Sequence, residues 1–207
     1  MVLTFDRCAI DPKYFIKILY DGMGFVLTPQ HYLMIDNFIN YRSNLQLQSR
    51  GLGVTTLAAG LLLWKALFQP DYTIAITSPT TAEAIEVLHI IRTMIAHLPK
   101  HLTPKMIEMN KQSLRFENYC RIVVGGMSSM FMRGMSISML YCDNFSGASP
   151  KTQQEFLDCN MPVVARSSVF ISSDLLTDDP FGHLWGQSCI SPGRFRPQPL
   201  VGNVLQR

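Results

Sequence analysis

Residues 49–56 read Ser-Arg-Gly-Leu-Gly-Val-Thr-Thr, and this stretch decides the fold because it joins a predicted strand to a predicted helix. Before it, Leu45 and Leu47 alternate with polar neighbours, which predicts a short strand. After it, the apolar run 57–68 predicts a helix. Two glycines between these elements permit a tight turn. A strand, a glycine turn and a helix in this order are typical of a loop that holds an anion at a helix N-terminus.

The segments on either side continue the alternation of strands and helices. Thr80 and Glu83 form a capping box that predicts the start of a helix, and its apolar stripe runs to residue 98. The patterns also predict helices over 12–22, 33–39 and 151–157, strands over 72–77, 139–142 and 169–171, and a hairpin pairing 114–116 with 122–124. We therefore predict an α/β fold whose mainly parallel sheet is covered by helices on both faces.

Length and composition restrict the class of protein. A chain of 207 residues fits one domain, and 47% apolar with 16% charged residues is typical of a packed globular protein. The net charge of +3 permits a polyanionic partner without requiring one. Five cysteines lie far apart, without the spacing of a zinc or disulfide motif, and suit a reducing compartment. No secretory signal and no apolar run of about 20 residues is present, so we expect no membrane partner.

Two places are predicted to hold the chemistry. Ligands of a parallel sheet bind beyond the carboxyl ends of its strands, which here are the 49–56 turn and Asp143. A phosphate-binding loop supplies backbone N–H groups, a lysine for the outer phosphates and a hydroxyl for magnesium. In this loop the hydroxyls are Thr55 and Thr56, whereas Val54 stands where the lysine belongs.

The loop resembles that of the large terminase subunit, the DNA-packaging motor ATPase of T-even-type tailed bacteriophages, which reads Ser-Arg-Gln-Leu-Gly-Lys-Thr-Thr. The similarity continues through residues 80–99, through 107–114, which resemble the family's Val-Glu-Trp-Asn-Lys-Gly-Ser-Ile, and through Arg133-Gly134 to Asp143. It covers about residues 12–185. The resemblance implies a P-loop NTPase-like fold, ATP and magnesium as ligands, and a relation to viral DNA packaging.

The resemblance also assigns site residues. The positions implied to contact the nucleotide are Arg50, Gly51, Gly53, Thr55, Thr56 and, in the adenine-recognition segment, His31. Asp143 and Thr55 match the magnesium ligands. Two alternatives remain open from the residues alone, because Asp143 could be a surface strand-end carboxylate and His31 a surface histidine at a helix start.

Four departures from the family pattern weaken these assignments. Val54 replaces the lysine, Asn144 replaces the carboxylate that activates water, and His31 replaces a glutamine. After the last strand, Leu175-Leu176 stand within the family's hydroxyl-rich coupling loop. Valine cannot donate to a phosphate, and an amide cannot accept a proton at neutral pH. We therefore assign no catalytic residue, and ATP and magnesium binding should be weakened.

Three hypotheses follow. The first is a hydrolysis-deficient pseudo-ATPase that acts through a partner or nucleic acid. The second is an active, divergent ATPase whose charge comes from Arg50, Lys65, Arg133 or a neighbouring subunit. The third is a structural or assembly component of a virion, with the C-terminal tail as its contact arm.

The resemblance sets expectations for domains, partners and location. We expect an ATPase-like domain over 1–187, a proline- and glycine-containing tail over 188–207 that binds a partner or stays mobile, and no nuclease domain. Double-stranded DNA, the phage portal and other terminase subunits are the implied partners, and the resemblance also implies an oligomer. The expected location is the host cytoplasm or the virion.

Overall fold

The computed structural model describes residues 2–47, 51–174 and 179–184, together with the backbone of 196–197. Its helices are α1 Val2–Ile10, α2 Pro12–Met23, α3 Pro29–Asn40, α4 Val54–Phe68, α5 Thr81–His97 and α6 Pro150–Asn160. Its strands are β1 Ser43–Leu47, β2 Thr73–Ser78, β3 Met106–Asn110, β4 Ser113–Phe116, β5 Arg121–Gly126, β6 Met139–Cys142, β7 Ser168–Ser173 and β8 Arg196–Pro197. Among these helices none is both long and apolar enough to cross a membrane.

One sheet organises the chain, with the strand order β3-β4-β5-β2-β6-β7-β1-β8. The six strands from β5 to β8 in this order are parallel, whereas β3 and β4 form an antiparallel hairpin at one edge. The predicted mainly parallel sheet is thereby confirmed. The predicted pairing of the 114–116 strand with the 122–124 strand is also found, since Leu114 lies opposite Ile122.

Both faces of the sheet are covered, as predicted. Helices α1 to α5 pack on one face around the fully buried Leu61 and Leu88. On the other face α6 and the β5–β6 connection pack around Phe145 and Phe156. Helix α4 is apolar on nearly all sides because it is enclosed between the sheet and its neighbouring helices. The core therefore fixes α4 and the loop before it in place.

Local sequence signals set the helix boundaries. Asp11 accepts hydrogen bonds from the N–H groups of Lys13 and Tyr14 and so caps α2. Thr80 and Glu83 form the predicted capping box of α5. The sequence patterns did not predict helix α1, which precedes α2, or strand β3, which extends the hairpin to the sheet edge. They also did not predict β8, which lies in the expected tail.

The C-terminal region falls largely outside the described residues. The backbone of Arg196–Pro197 pairs with Asn44 and Leu45 of β1, so this part of the predicted tail adjoins the sheet. The rest of 188–207 lies outside the described residues, as do Arg50 and Leu175-Leu176.

Candidate functional site

A cavity of about 550 Å³ lies at the carboxyl edge of the sheet. Strands β6, β7 and β1 are neighbours, so their carboxyl ends meet at this edge beside the start of α4. The described residues that line the cavity are Gly51, Leu52, Gly53, Val54, Thr55, Glu83, Asp143, Asn144, Ser173 and Asp174. The two places singled out in the sequence, the glycine loop and Asp143, thus form one site.

The loop reaches α4 through two left-handed glycines. Gly51 has a φ of 83° and Gly53 a φ of 69°, values that residues with a Cβ rarely adopt. Gly53 is the N-cap of α4 and offers no side chain to the first N–H groups of the helix. The positive end of the helix dipole therefore faces the cavity, as in an anion-binding loop.

Val54 lines the cavity but brings no charge to it. The residue is only 4% exposed and belongs to the hydrophobic core on the α4 face of the sheet. The charged side chains among the described lining residues are those of Glu83, Asp143 and Asp174, all of them acidic. The cavity wall, as far as it is described, therefore carries negative charge.

Asp143 lies at the centre of a hydroxyl cluster. Its Oδ1 accepts hydrogen bonds from the hydroxyl of Tyr141 at 2.6 Å, of Thr55 at 2.9 Å and of Ser172 at 3.3 Å. The Tyr141 and Ser172 hydroxyl oxygens are themselves 3.1 Å apart. These contacts hold the carboxylate in one orientation and leave Oδ2 for a further ligand.

The cluster bears on the alternative that Asp143 is a surface strand-end carboxylate. Asp143 is partly buried and hydrogen-bonded to the loop threonine, so it is not an isolated surface carboxylate. Thr55 and Asp143 are the predicted metal ligands, and the fold brings them together. Tyr141 and Ser172 were missed, although Tyr141 stands two residues before Asp143, a spacing that puts side chains on the same side of a strand.

Burial keeps the phenol of Tyr141 neutral. The pKa of Tyr141 lies well above its usual value, because its side chain is fully buried and because the neighbouring Asp143 charge opposes ionisation. Burial likewise raises the pKa of the adjacent Cys142 thiol. Tyr141 therefore acts as a permanent hydrogen-bond donor to Asp143.

Asn144 follows Asp143 in a left-handed conformation, with a φ of 51°. It is the N-cap of a short 3-10 helix, Phe145–Gly147, and lines the cavity. A Cβ on Gly147 would lie 2.6 Å from Asn144 Nδ2, so only glycine leaves room for this amide. The residue occupies the position predicted for the water-activating group, but its amide is not a base.

His31 is not a surface histidine, and that alternative is wrong. The residue is 8% exposed, and its Nδ1 accepts a hydrogen bond from the Thr28 N–H at 3.1 Å. Since Nδ1 is an acceptor, Nε2 carries the hydrogen and donates it to the Leu52 carbonyl oxygen at 2.8 Å. His31 thus joins α3 to the loop, and it is not among the described residues that line the cavity.

Other predicted residues lie away from the cavity. Thr56 is in the first turn of α4 but is not part of the described lining. Lys65 is in the last turn of α4, about 16 Å along the helix axis from Val54. It therefore cannot supply the missing charge to the same loop. Arg133 is exposed in the β5–β6 connection, where its guanidinium contacts the Met130 sulfur at 3.4 Å.

The described residues fit one of the two implied ligands. A threonine hydroxyl beside a carboxylate is the kind of oxygen ligand set that magnesium takes in proteins. A triphosphate needs cations, and the described wall offers three carboxylates instead. The site therefore fits a cation better than it fits the phosphates of ATP.

Comparison with solved structures identifies the fold. The ATPase-domain mutant of the Thermus phage P74-26 large terminase matches with a TM-score of 0.64 and 11% identity, over 79% of this chain and 71% of that chain. The HK97 bacteriophage large terminase matches with a TM-score of 0.65 and 17% identity, over 80% of this chain. This chain covers 37% of the HK97 protein.

A third structure has a nucleotide analogue in its name. The large terminase of the thermophilic bacteriophage D6E in complex with ATP-γ-S matches with a TM-score of 0.55 and 8% identity, over 72% of this chain and 38% of that chain. At the sequence level, the family described as "Terminase large subunit, T4likevirus-type, N-terminal" matches residues 45–172, more than half of the chain. The chain therefore belongs to the large terminase family, as a counterpart of its T4-like N-terminal region.

Proposed function

We propose that this chain is a hydrolysis-deficient terminase ATPase-like domain, related to viral DNA packaging, that acts through a partner or nucleic acid. The observation that carries the proposal is the burial of Val54 in the core at the position of the family's lysine. Asn144 supports it, because an amide replaces the carboxylate next to Asp143.

The electrostatics of phosphoryl transfer explain why these two changes matter. Catalysis of this reaction depends mainly on positioning and on stabilising the charge spread over the transferred phosphoryl oxygens. Glu83, Asp143 and Asp174 line the cavity and would repel those oxygens unless a metal ion neutralised them. Without the ammonium and without a base for water, the described site lacks two of the usual contributions to the rate.

The retained architecture supports a binding role. The glycine loop, the α4 N-terminus and the Thr55–Asp143 contact keep the geometry of a phosphate loop. A large terminase of similar fold is named as a complex with ATP-γ-S, which supports this cavity as the proposed site of a weakly bound nucleotide. Double-stranded DNA, a portal or other terminase subunits are the proposed partners, by analogy with the family.

The second candidate is an active, divergent ATPase, and the Thr55–Asp143 contact favours it because a magnesium ligand pair is kept. The missing charge would come from Arg50, from the exposed Arg133 or from a neighbouring subunit. Lys65 is excluded from this role by its place at the other end of α4.

Restoring the lost groups tests the proposal. Val54→Lys should raise the affinity for ATP with magnesium, measured by calorimetry, by about tenfold or more, because it adds a charge-assisted contact to phosphate. Adding Asn144→Glu should then raise the rate of phosphate release. The matched control is Val26→Lys with Asn40→Glu, the same residue types at exposed positions. Wild-type protein that already binds and hydrolyses ATP as well as the restored variant would overturn the proposal.

A further inference from the structure

A second cavity, of about 220 Å³, lies at the opposite edge of the sheet. It is enclosed by the end of α3, the last turn of α4 and the amino ends of β1, β6 and β7. The described residues that line it are Phe38, Ile39, Tyr41, Arg42, Asn44, Lys65, Met139, Ser168 and Val169. It is a separate site from the glycine-loop cavity, because α4 spans the distance between the two.

Lys65 is the unusual residue of this cavity. Its Nζ lies 5.1 Å from the centre of the Trp64 ring and 5.9 Å from that of Phe38. Within the part of the chain that the structure describes, the Lys65 Nζ has no hydrogen bond and no ion pair. Burial lowers the pKa of Lys65, because desolvation disfavours the charged ammonium.

The other described ion pairs make the contrast clear. Four lysines in the described ranges have a carboxylate within 4.0 Å, and their side chains are partly or largely exposed. These pairs are Lys13 with Asp36, Lys17 with Asp21, Lys105 with Glu117 and Lys151 with Glu155. Such exposed ion pairs contribute little to the free energy of folding. A half-buried ammonium without a partner has a desolvation cost, and a bound anion could offset that cost.

Arg42 brings a second cation to the same cavity. One of its terminal nitrogens donates to the Ala165 carbonyl oxygen at 3.0 Å, which positions the guanidinium and leaves further N–H groups for another acceptor. The described lining contains these two cations and no Asp or Glu. The negative end of the α4 dipole and the two rings explain why Lys65 is tolerated, but they do not account for Arg42 lining the same cavity.

The remaining wall is largely apolar. Phe38, Ile39, Met139 and Val169 line it beside the two cations. Its volume is below the ~300–1,000 Å³ of most ligand pockets, so a whole nucleotide would not fit inside. A ligand that matched this wall would be small, with one anionic head and an apolar body.

We propose that this second cavity binds a small organic anion, with its carboxylate or phosphate between Lys65 and Arg42 and its apolar body against Phe38 and Met139. Both head groups satisfy the same two cations. Arginine pairs with either through two parallel hydrogen bonds, and lysine neutralises either as a point charge.

The experiment titrates three probes into the full chain by calorimetry: benzoate, phenyl phosphate and uncharged benzamide. Saturable binding of benzoate, of phenyl phosphate or of both, without binding of benzamide, is the expected result, and the stronger of the two identifies the head group. Failure of both anions to bind would overturn the proposal, as would equal binding of benzamide.

Variants locate the binding. Lys65→Met keeps the apolar stem and should lower the binding affinity for the anion by about tenfold or more, since it removes a charge-assisted contact. Arg42→Gln, at an exposed position, should weaken it as well and guards against a folding defect at Lys65. The control is Lys151→Met, at an exposed position of α6, and it should bind like wild type. Binding that is unchanged in Lys65→Met and in Arg42→Gln would place the anion elsewhere and refute the site.

Discussion

The Thr55 hydroxyl donates a hydrogen bond to Asp143 Oδ1 at 2.9 Å, joining residues 88 positions apart in the chain. The contact ties the first turn of α4 to the end of β6, so the loop and the acidic strand end form one rigid unit. Two further hydroxyls, of Tyr141 and Ser172, donate to the same oxygen. The Thr55–Asp143 contact is the geometry on which the proposed magnesium site rests, and Val54 and Asn144 stand where the resemblance places the lysine and the water-activating carboxylate.

Thr55→Val should lower the free energy of unfolding by about 1–2 kcal/mol, because it removes a hydrogen bond to a partly buried carboxylate. Urea unfolding followed by circular dichroism measures the change. Thr56→Val is the control, since the Thr56 side chain makes no hydrogen bond within the described ranges, and it should shift stability by less than about 0.5 kcal/mol. Equal effects of the two variants would contradict the role given to Thr55.

Tyr141→Phe should lower the free energy of unfolding by about 1–3 kcal/mol, because Asp143 loses its shortest hydrogen-bond donor while the ring remains packed. The same urea titration checks it. Tyr32→Phe changes an exposed phenol and should leave stability unchanged. If the two tyrosine variants unfolded at the same urea concentration, the hydroxyl cluster would not stabilise the site.

His31→Leu should loosen the glycine loop, because the hydrogen bond from Nε2 to the Leu52 carbonyl oxygen disappears. We expect amide hydrogen exchange at 51–53 to rise by about fivefold or more, the equivalent of one lost hydrogen bond. His31→Gln keeps a hydrogen-bond donor, so amide exchange at 51–53 should rise less in this variant. Exposed His101→Leu is the control. Unchanged exchange in His31→Leu would show that α3 does not hold the loop.

Alkaline pH should destabilise the fold through Cys120. Burial raises the pKa of this thiol from 9.0 to about 12 in the folded protein. Below pH 9 the thiol is protonated in both states, whereas between pH 9 and 12 only the unfolded chain releases the proton. Stability should therefore fall by about 1.4 kcal/mol per pH unit for this group in that range.

The thiol variant Cys120→Ala isolates this contribution. The free energy of unfolding, measured by urea titration at several pH values from 8 upward, should fall less steeply for the variant than for wild type. Cys159→Ala removes an exposed thiol and should keep the wild-type slope. An identical slope in Cys120→Ala and wild type would contradict the argument.

Much of the fold follows from local patterns. The glycine turn, the capping box at Thr80 and the strand that ends at Asp143 are all readable from sequence, because caps, turns and periodicity depend on neighbours in the chain. Helix α1 was not predicted from the sequence, because the burial of its apolar side chains comes from packing against other helices. Strand β3 was missed because its side chains are mostly exposed and its partner strand decides its conformation.

Part of the candidate site could also be predicted from local sequence patterns. The loop and Asp143 carry recognisable residue types at the ends of strands, so their meeting could be expected. The His31–Leu52 and Ser172–Asp143 contacts join residues distant in sequence and required the fold. The second cavity could not be predicted from the sequence. Arg42 precedes β1 and Lys65 lies in α4, and only the packing of the fold brings them together.

The most direct test of the central claim is single-turnover ATP hydrolysis by the wild-type chain with magnesium, compared with Asp143→Asn. We predict that phosphate release by wild type equals that of Asp143→Asn and the buffer background, because Val54 and Asn144 stand where the resemblance places the ammonium and the base. Turnover by wild type that Asp143→Asn abolishes would contradict the account and establish an active motor domain.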